Sequence, residues 1–298
     1  MKSDFPEYAC PYAERLAAFS PRFARQIRVT AAEKADRARA AAGPYSADPF
    51  GELGPAAKVK GLKQRFPDRV LVMTTEECFV HCRHCFRQGV FGRARTVETP
   101  EDLAGCVAYV KAHPSVRDVL LSGGDVLTLP DEKVLAFVRA FASLPQIDIV
   151  RVCTRAPGVN PARITGKLVR GLARTKKVWV NVQFNCADEL TPEAVRAVAR
   201  LVDAGIPVGS QTVLLKGVND SVAEMVRLLK ALTRARVRPY YVFQCDPVAG
   251  IDRFRVPLEK ARAIEKACAE RLGGLALPRF VCDLPGAKRK IPVSEVEA

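Results

Sequence analysis

The sequence predicts an α/β fold: a partial (β/α)6-type barrel of parallel strands with an N-terminal helical extension. Two observations carry this. From Asp68 onward an apolar strand-like run, a polar loop and an amphipathic helix recur as a unit six or seven times, and such alternation gives parallel strands with right-handed crossovers. The unusual polar residues fall just after the apolar runs, where a parallel barrel gathers its chemistry.

The elements follow in chain order. Residues 1–67 are the expected helical extension and linker. Within them the Ala- and Arg-rich Arg22–Ala42 reads as helix, and Gly43 to Pro55, with three prolines and three glycines, as a connecting loop. The barrel core is expected over 68–283 and a C-terminal segment over 284–298. The strand candidates are Val70–Thr74, Asp118–Ser122, Ile147–Cys153, Val178–Phe184, Val208–Leu214, Tyr240–Phe243 and Phe280–Cys282. Helices lie between them. Thr99-Pro100-Glu101-Asp102 is a start signal, with a capping hydroxyl, a proline in the first turn and acids at the positive helix end. Thr191-Pro192-Glu193 repeats it. There Ala194, Val195, Val198, Leu201 and Val202 share a face, and Gly205 ends the helix. After Asp220, Val222, Met225, Val226, Leu229 and Leu232 form the next such face.

Polar residues then mark the strand ends. Cys78 to Cys85 follow the first strand and Ser122-Gly123-Gly124-Asp125 the second. Thr154-Arg155 follow the third, and Gln183, Asn185 and Cys186 attend the fourth. Gln211 lies within the fifth, Asp246 follows the sixth and Asp283 the last. In a barrel these loci converge on one mouth.

Composition narrows the classes. The chain has 298 residues, 48% of them hydrophobic, enough for a full core. No apolar run approaches a membrane span. Met1–Phe19 carries Lys2, Asp4, Glu7, Glu14 and Arg15 and lacks the apolar centre of a secretory signal. Ten cysteines then suit a cytoplasmic location, where they are core residues or metal ligands and not a disulfide scaffold. The net charge of +15 raises a nucleic-acid partner. Its cations are spread along the chain with no RNA-binding aromatic motif beside them, so none is expected.

The segment Cys78-Phe79-Val80-His81-Cys82-Arg83-His84-Cys85 spaces its cysteines by four and then three positions. Four thiolates saturate a cubane iron–sulfur cluster. Three close ones hold three irons and leave the fourth open, as a catalytic metal requires. The competing readings are a structural zinc completed by His81 or His84, and simple core cysteines.

This cysteine pattern after a first barrel strand resembles the signature of radical S-adenosylmethionine enzymes. The resemblance implies a [4Fe-4S] cluster on Cys78, Cys82 and Cys85, and S-adenosylmethionine bound near Ser122, Gly123, Gly124, Asp125 and Arg155. It extends to lysine 2,3-aminomutase over roughly Phe66 to Val293. Phe66-Pro67-Asp68-Arg69-Val70, Cys82-Arg83-His84-Cys85, Val116 through Asp125, Gln211 through Asp220, Arg238-Pro239-Tyr240-Tyr241, Gln244-Cys245-Asp246 and Asp283-Leu284-Pro285-Gly286 carry it.

That family adds pyridoxal 5′-phosphate, and Lys290 matches the catalytic lysine that binds it. Arg65, Arg69 and Gln211 match positions that hold this cofactor and its phosphate, and a neighbouring cation, Lys288 or Arg289, is expected to keep the Lys290 amine unprotonated. Arg87 resembles the clamp on the substrate carboxylate. Asp246 and Asp283 resemble the acidic pair that holds a distal ammonium. The implied activity is transfer of the α-amino group of lysine to C3, giving β-lysine. An aminomutase for ornithine or arginine, an RNA-modifying radical enzyme and an iron–sulfur sensor are the alternatives. A low-potential donor of the flavodoxin or ferredoxin type is the implied protein partner; a homo-oligomer is left open. Departures are Gly286-Ala287-Lys288-Arg289 in place of a Gly-rich run, and Gln183 and Cys186 where two histidines are usual. Ser221 stands at the place of a zinc cysteine, and the sequence ends at Ala298 before the family's zinc-binding tail, which reads as a short form.

Overall fold

The computed structural model describes residues 5–40, 46–53 and 59–297. Three helices lead: α1 (Pro11–Phe19), α2 (Pro21–Ile27) and α3 (Ala31–Ala40). The helix expected over Arg22–Ala42 is broken at Arg28–Thr30, and capping chemistry explains the break. Arg28 bonds Glu7 and Glu14, the Val29 amide donates to Glu7 at 2.6 Å, and Thr30 Oγ1 accepts from the Glu33 amide at 3.2 Å to start α3. The loop expected over Gly43 to Pro55 lies partly outside the described residues.

The core then runs β1 (Leu62–Phe66), β2 (Arg69–Thr75), α4 (Pro100–Ala112), β3 (Asp118–Gly123), α5 (Asp131–Ala142) and β4 (Ile149–Thr154). It continues with the short α6 (Ala156–Val159), α7 (Gly166–Ala173), β5 (Val178–Val182), α8 (Pro192–Asp203) and β6 (Val208–Leu214). Next come α9 (Val222–Arg234), β7 (Arg238–Gln244), α10 (Leu258–Ala269), β8 (Arg279–Cys282) and β9 (Ile291–Pro292). All strands join one sheet in sequential order. β2 through β8 pair in parallel, and antiparallel β1 and β9 flank them. Neither flanking strand was expected. β1 lies inside the segment read as linker, and the sheet therefore begins at Leu62. Arg65 on β1 meets Asp283, just past β8, at 3.1 Å, so the sheet curls until its two ends touch across the mouth.

The two-residue period of a strand decides what faces the interior. On β3, Val119 and Leu121 pack outward against the helices while Leu120 and Ser122 face inward. On β4 the same split separates Val150 and Val152 from Arg151 and Cys153, and on β5 Val180 from Asn181, with Gln183 just past the strand also at the cavity. The outer helices bury the matching faces. Thr99 and Asp102 form the capping box of α4, and Thr191 Oγ1 accepts from the Ala194 amide at 3.1 Å to cap α8. Along α8 the buried residues are Ala194, Ala197, Val198 and Leu201; Val195, expected inward, is exposed. A second apolar cluster, including Phe23, Ile27, Leu215 and Phe254, fixes α1 and α2 against the barrel mouth.

Candidate active site

A cavity of about 830 Å³ fills the barrel interior, within the range of small-molecule sites. The strand ends deliver most of the expected residues to it. Cys78, Cys82, Cys85 and Arg87 come from the loop after β2, Ser122 to Asp125 from the end of β3, and Thr154 and Arg155 from the end of β4. Gln183 and Gln211 line the wall, and Asp246, Asp283 and Lys290 stand beyond β7 and β8. Two residues expected at the mouth are elsewhere. Cys186 and Asn185 are fully buried behind the wall, where Asn185 donates to Gln26 at 2.9 Å and Cys186 lies against Glu189.

The three loop cysteines are free thiols, each half-buried. Burial pushes the Cys85 thiol up to about 11, and the charge of Cys82 adds to it. Cys78 is raised well above its usual value by burial and then by Cys85. Thiolates that raise one another in a dry cavity need a cation to exist together. Among the described residues no three His, Cys, Asp or Glu side chains close on a single ion; the thiolates of a cubane bind separate irons and need not converge so tightly. Arg155 Nη1 donates to Cys82 Sγ at 2.8 Å. The donor set therefore fits a cluster.

The glycines beside it are required by close approach. A Cβ on Gly123 would lie 2.4 Å from the Thr75 carbonyl oxygen, and one on Gly124 2.2 Å from that of Glu77. Asp125 spends its carboxylate on the protein: it accepts from Thr154 Oγ1 at 2.6 Å and from the Leu127 and Arg155 amides at 3.0 and 2.7 Å. It braces the loop after β3 to the end of β4. Arg155 Nε and His84 Nδ1 are buried at the cavity wall with no hydrogen-bond partner among the described residues. They leave unspent polar capacity where the resemblance expects S-adenosylmethionine.

Lys290 Nζ bonds Asp283 and lies over the rings of Phe66 and Phe243 at 5.5 and 5.4 Å. Burial holds its ammonium below the usual lysine value, Arg65 lowers it further, and Asp283 opposes both. The cation expected to do this was Lys288 or Arg289. Lys288 is exposed and Arg289 turns to Glu295 on the surface, so burial and Arg65 take that part. Asp246 is lifted to about 7, first by burial and then by the charge of Asp283. Gln211 Nε2 donates to the Tyr240 hydroxyl, which also accepts from Asn181 at 2.9 Å. Arg69 opens β2 at the far end of the cavity, paired with Asp68 at 2.9 Å. A buried amine with cations and amides along one wall fits an aldehyde cofactor bearing a phosphate.

Arg87 is held by a residue that sequence patterns did not reveal. Glu52 takes its Nε and Nη2 edge at 2.8 to 3.0 Å, and the Gly123 carbonyl takes Nη1 at 3.0 Å. One N–H on each terminal nitrogen is left over for a bound carboxylate. Gln26 and Glu189 were likewise missed. No local motif marks them, since tertiary packing alone brings them to Arg155.

Barrel, cysteine loop and cavity together define a radical S-adenosylmethionine protein, and the Radical SAM superfamily model matches residues 72–229. The chain is 42% identical to L-lysine 2,3-aminomutase of Acetoanaerobium sticklandii over 83% of its own length and 59% of that protein. It is 36% identical to a Treponema pallidum protein given the same name provisionally, over 97% of this chain and 79% of that one. Glutamate 2,3-aminomutase of Clostridioides difficile is 33% identical over 83% of this chain and 58% of its own. Among solved structures, SuiB of Streptococcus suis bound to precursor peptide SuiA matches with a TM-score of 0.57 at 16% identity, covering 73% of this chain and 49% of that one. That likeness concerns the fold. The chain thus belongs to the lysine 2,3-aminomutase family of the radical SAM superfamily. It spans 59%, 55% and 56% of the length of the first curated relatives it matches. No helix among the described residues is long and apolar enough to cross a membrane.

Proposed function

We propose that this protein moves the α-amino group of L-lysine to C3, giving β-lysine. The observation that carries this reading is the acidic pair Asp246 and Asp283 facing Lys290 in the cavity that Arg87 and the three cysteines share. Cys78, Cys82 and Cys85 hold the cluster. Bound there, cluster and S-adenosylmethionine would supply a carbon radical that removes hydrogen, and pyridoxal phosphate, held by Lys290 and yielded to the substrate amine, would supply delocalisation for the migrating nitrogen. A low-potential donor of the flavodoxin or ferredoxin class would supply the electron.

The side chains then fix the substrate at both ends. The free edge of Arg87 takes the α-carboxylate, while Glu52 and Gly123 keep that edge aimed. Asp246 and Asp283 take the distal ammonium. In the ligand-free protein Asp283 is neutralised by Lys290 and Arg65, so the substrate ammonium must replace that pairing. A carboxylate at the same place would add a third negative charge to two that already repel.

Product analysis with lysine, ornithine, arginine and glutamate in parallel is the test. Lysine is expected to turn over and glutamate to stay inert. Preference for glutamate would overturn the acidic-pair assignment, whereas preference for ornithine or arginine keeps the pair and changes the pocket length. The pH dependence follows with its sign. Asp246 attracts the ammonium only when ionised, so kcat/KM for lysine should rise with pH through about 7. Asp246→Asn should remove that limb and cost roughly 2–5 kcal/mol, tens to thousands-fold. Cleavage of S-adenosylmethionine by a strong chemical reductant should change far less.

A further inference from the structure

Arg155 commits both terminal nitrogens to protein partners, with only Nε left over among the described residues, and belongs to none of the substrate contacts. Nη1 donates to Cys82 Sγ at 2.8 Å. Nη2 donates to Glu189 Oε2 at 2.7 Å and to Gln26 Oε1 at 3.0 Å. Its backbone amide is held by Asp125. Glu189 is completely buried, and its other oxygen accepts from the Asn185 and Cys186 amides at 2.8 and 3.0 Å and from Gln26 Nε2 at 3.1 Å. Gln26 is also completely buried and comes from α2, so the N-terminal extension reaches through the wall to the cysteine loop.

We propose that Gln26 and Glu189 are positioning residues that aim the Arg155 guanidinium at the Cys82 sulfur, and that this N–H···S bond and its balancing carboxylate set the reduction potential of the cluster. The proposal rests on the reading that a cluster sits on the loop cysteines. Reduction adds one electron to the cluster, and a buried cation donating to a ligand sulfur stabilises that extra charge. The adjacent Glu189 carboxylate offsets part of the stabilisation. Two charge-removing changes therefore act in opposite directions. Arg155→Gln removes the cation and the donor and makes the cluster harder to reduce. Glu189→Gln removes the offsetting charge, leaves Gln26 as a brace, keeps an oxygen for the two backbone amides, and makes the cluster easier to reduce.

The experiment is a redox titration of anaerobically reconstituted protein, followed by the electron paramagnetic resonance of the reduced cluster, without and with S-adenosylmethionine. Iron content and far-ultraviolet circular dichroism are recorded on each sample. Arg155→Gln should shift the reduction equilibrium at least tenfold, about 59 mV for one electron, to more negative potential. Glu189→Gln should shift it positively. Both shifts should be present before S-adenosylmethionine is added. A wild-type midpoint in Arg155→Gln, a shift that needs S-adenosylmethionine, or shifts of the same sign in both variants would each overturn the proposal. Should Arg155→Gln hold no iron, Arg155→Lys carries the test. Lysine keeps the charge but cannot serve Cys82, Glu189 and Gln26 together, so a negative shift is still expected and an unchanged midpoint overturns the idea. A wild-type protein that takes up no cluster would instead defeat the underlying cysteine reading.

Discussion

Cys82→Ala should yield a folded protein that takes up no [4Fe-4S] cluster and releases no 5′-deoxyadenosine from S-adenosylmethionine. Cys78→Ala and Cys85→Ala should behave alike. Each thiol lines the same cavity wall, and burial raises both Cys78 and Cys85, to which the charge of Cys85 adds at Cys78 and that of Cys82 adds at both. With one removed, two thiolates remain for a centre that needs three protein ligands and an open position. Iron after reconstitution should fall from about four per chain to well below one. Cleavage should fall to background. The fold should survive, because the loop is anchored independently: the Arg83 amide donates to the Gln26 carbonyl at 2.7 Å and Arg83 pairs with buried Glu33. Cys106→Ala and Cys268→Ala are the controls. Both cysteines are buried in helices of the outer layer, so these changes should cost some stability and no iron. Retention of full cleavage in Cys82→Ala would defeat the assignment.

How much of this was legible in the sequence depends on the distance over which each feature is encoded. The parallel strands were, because Val119 with Leu121 and Val150 with Val152 show period-two burial against helices that carry their own caps. β1 was not, because Leu62-Lys63-Gln64-Arg65-Phe66 offers little apolar signal. It becomes a strand by pairing along the edge of β2, where Leu62 opposes Val72 and Lys63 opposes Leu71. The site divides in the same way. Residues that follow strand ends reach the cavity from topology alone, and the cysteine spacing is itself local. Glu52 on Arg87, and Gln26 and Glu189 on Arg155, are joined across 35, 129 and 34 positions by packing, and no short motif announces them. Cys186 shows the limit from the other side. It follows β5 as a mouth residue should, but the turn over Ala187–Glu189 carries it behind the wall toward Gln26.

Borohydride reduction of the protein loaded with pyridoxal phosphate should fix the cofactor to the peptide that contains Lys290. Lys290→Ala should trap none and should lose the amino shift by at least about four orders of magnitude, on the order of 5.5 kcal/mol of barrier. Cleavage of S-adenosylmethionine by dithionite should persist in that variant, since Lys290 meets Asp283, Phe66 and Phe243 and, among the described residues, not the cysteine loop. The chemistry requires a neutral amine at the moment of bond formation. Burial and Arg65 lower the Lys290 ammonium, whereas Asp283 holds the proton on it. Attachment of the cofactor should therefore speed up as pH rises, with a midpoint below that of free lysine. Asp283→Asn removes the main group that favours the ammonium, so it should move that midpoint lower still while weakening lysine turnover. A midpoint moved upward would mean that Asp283 does not face the amine in the working enzyme. Lys288 is the register control: it is exposed and two residues away, and trapping there would place the cofactor lysine on the surface and refute the part given to Lys290.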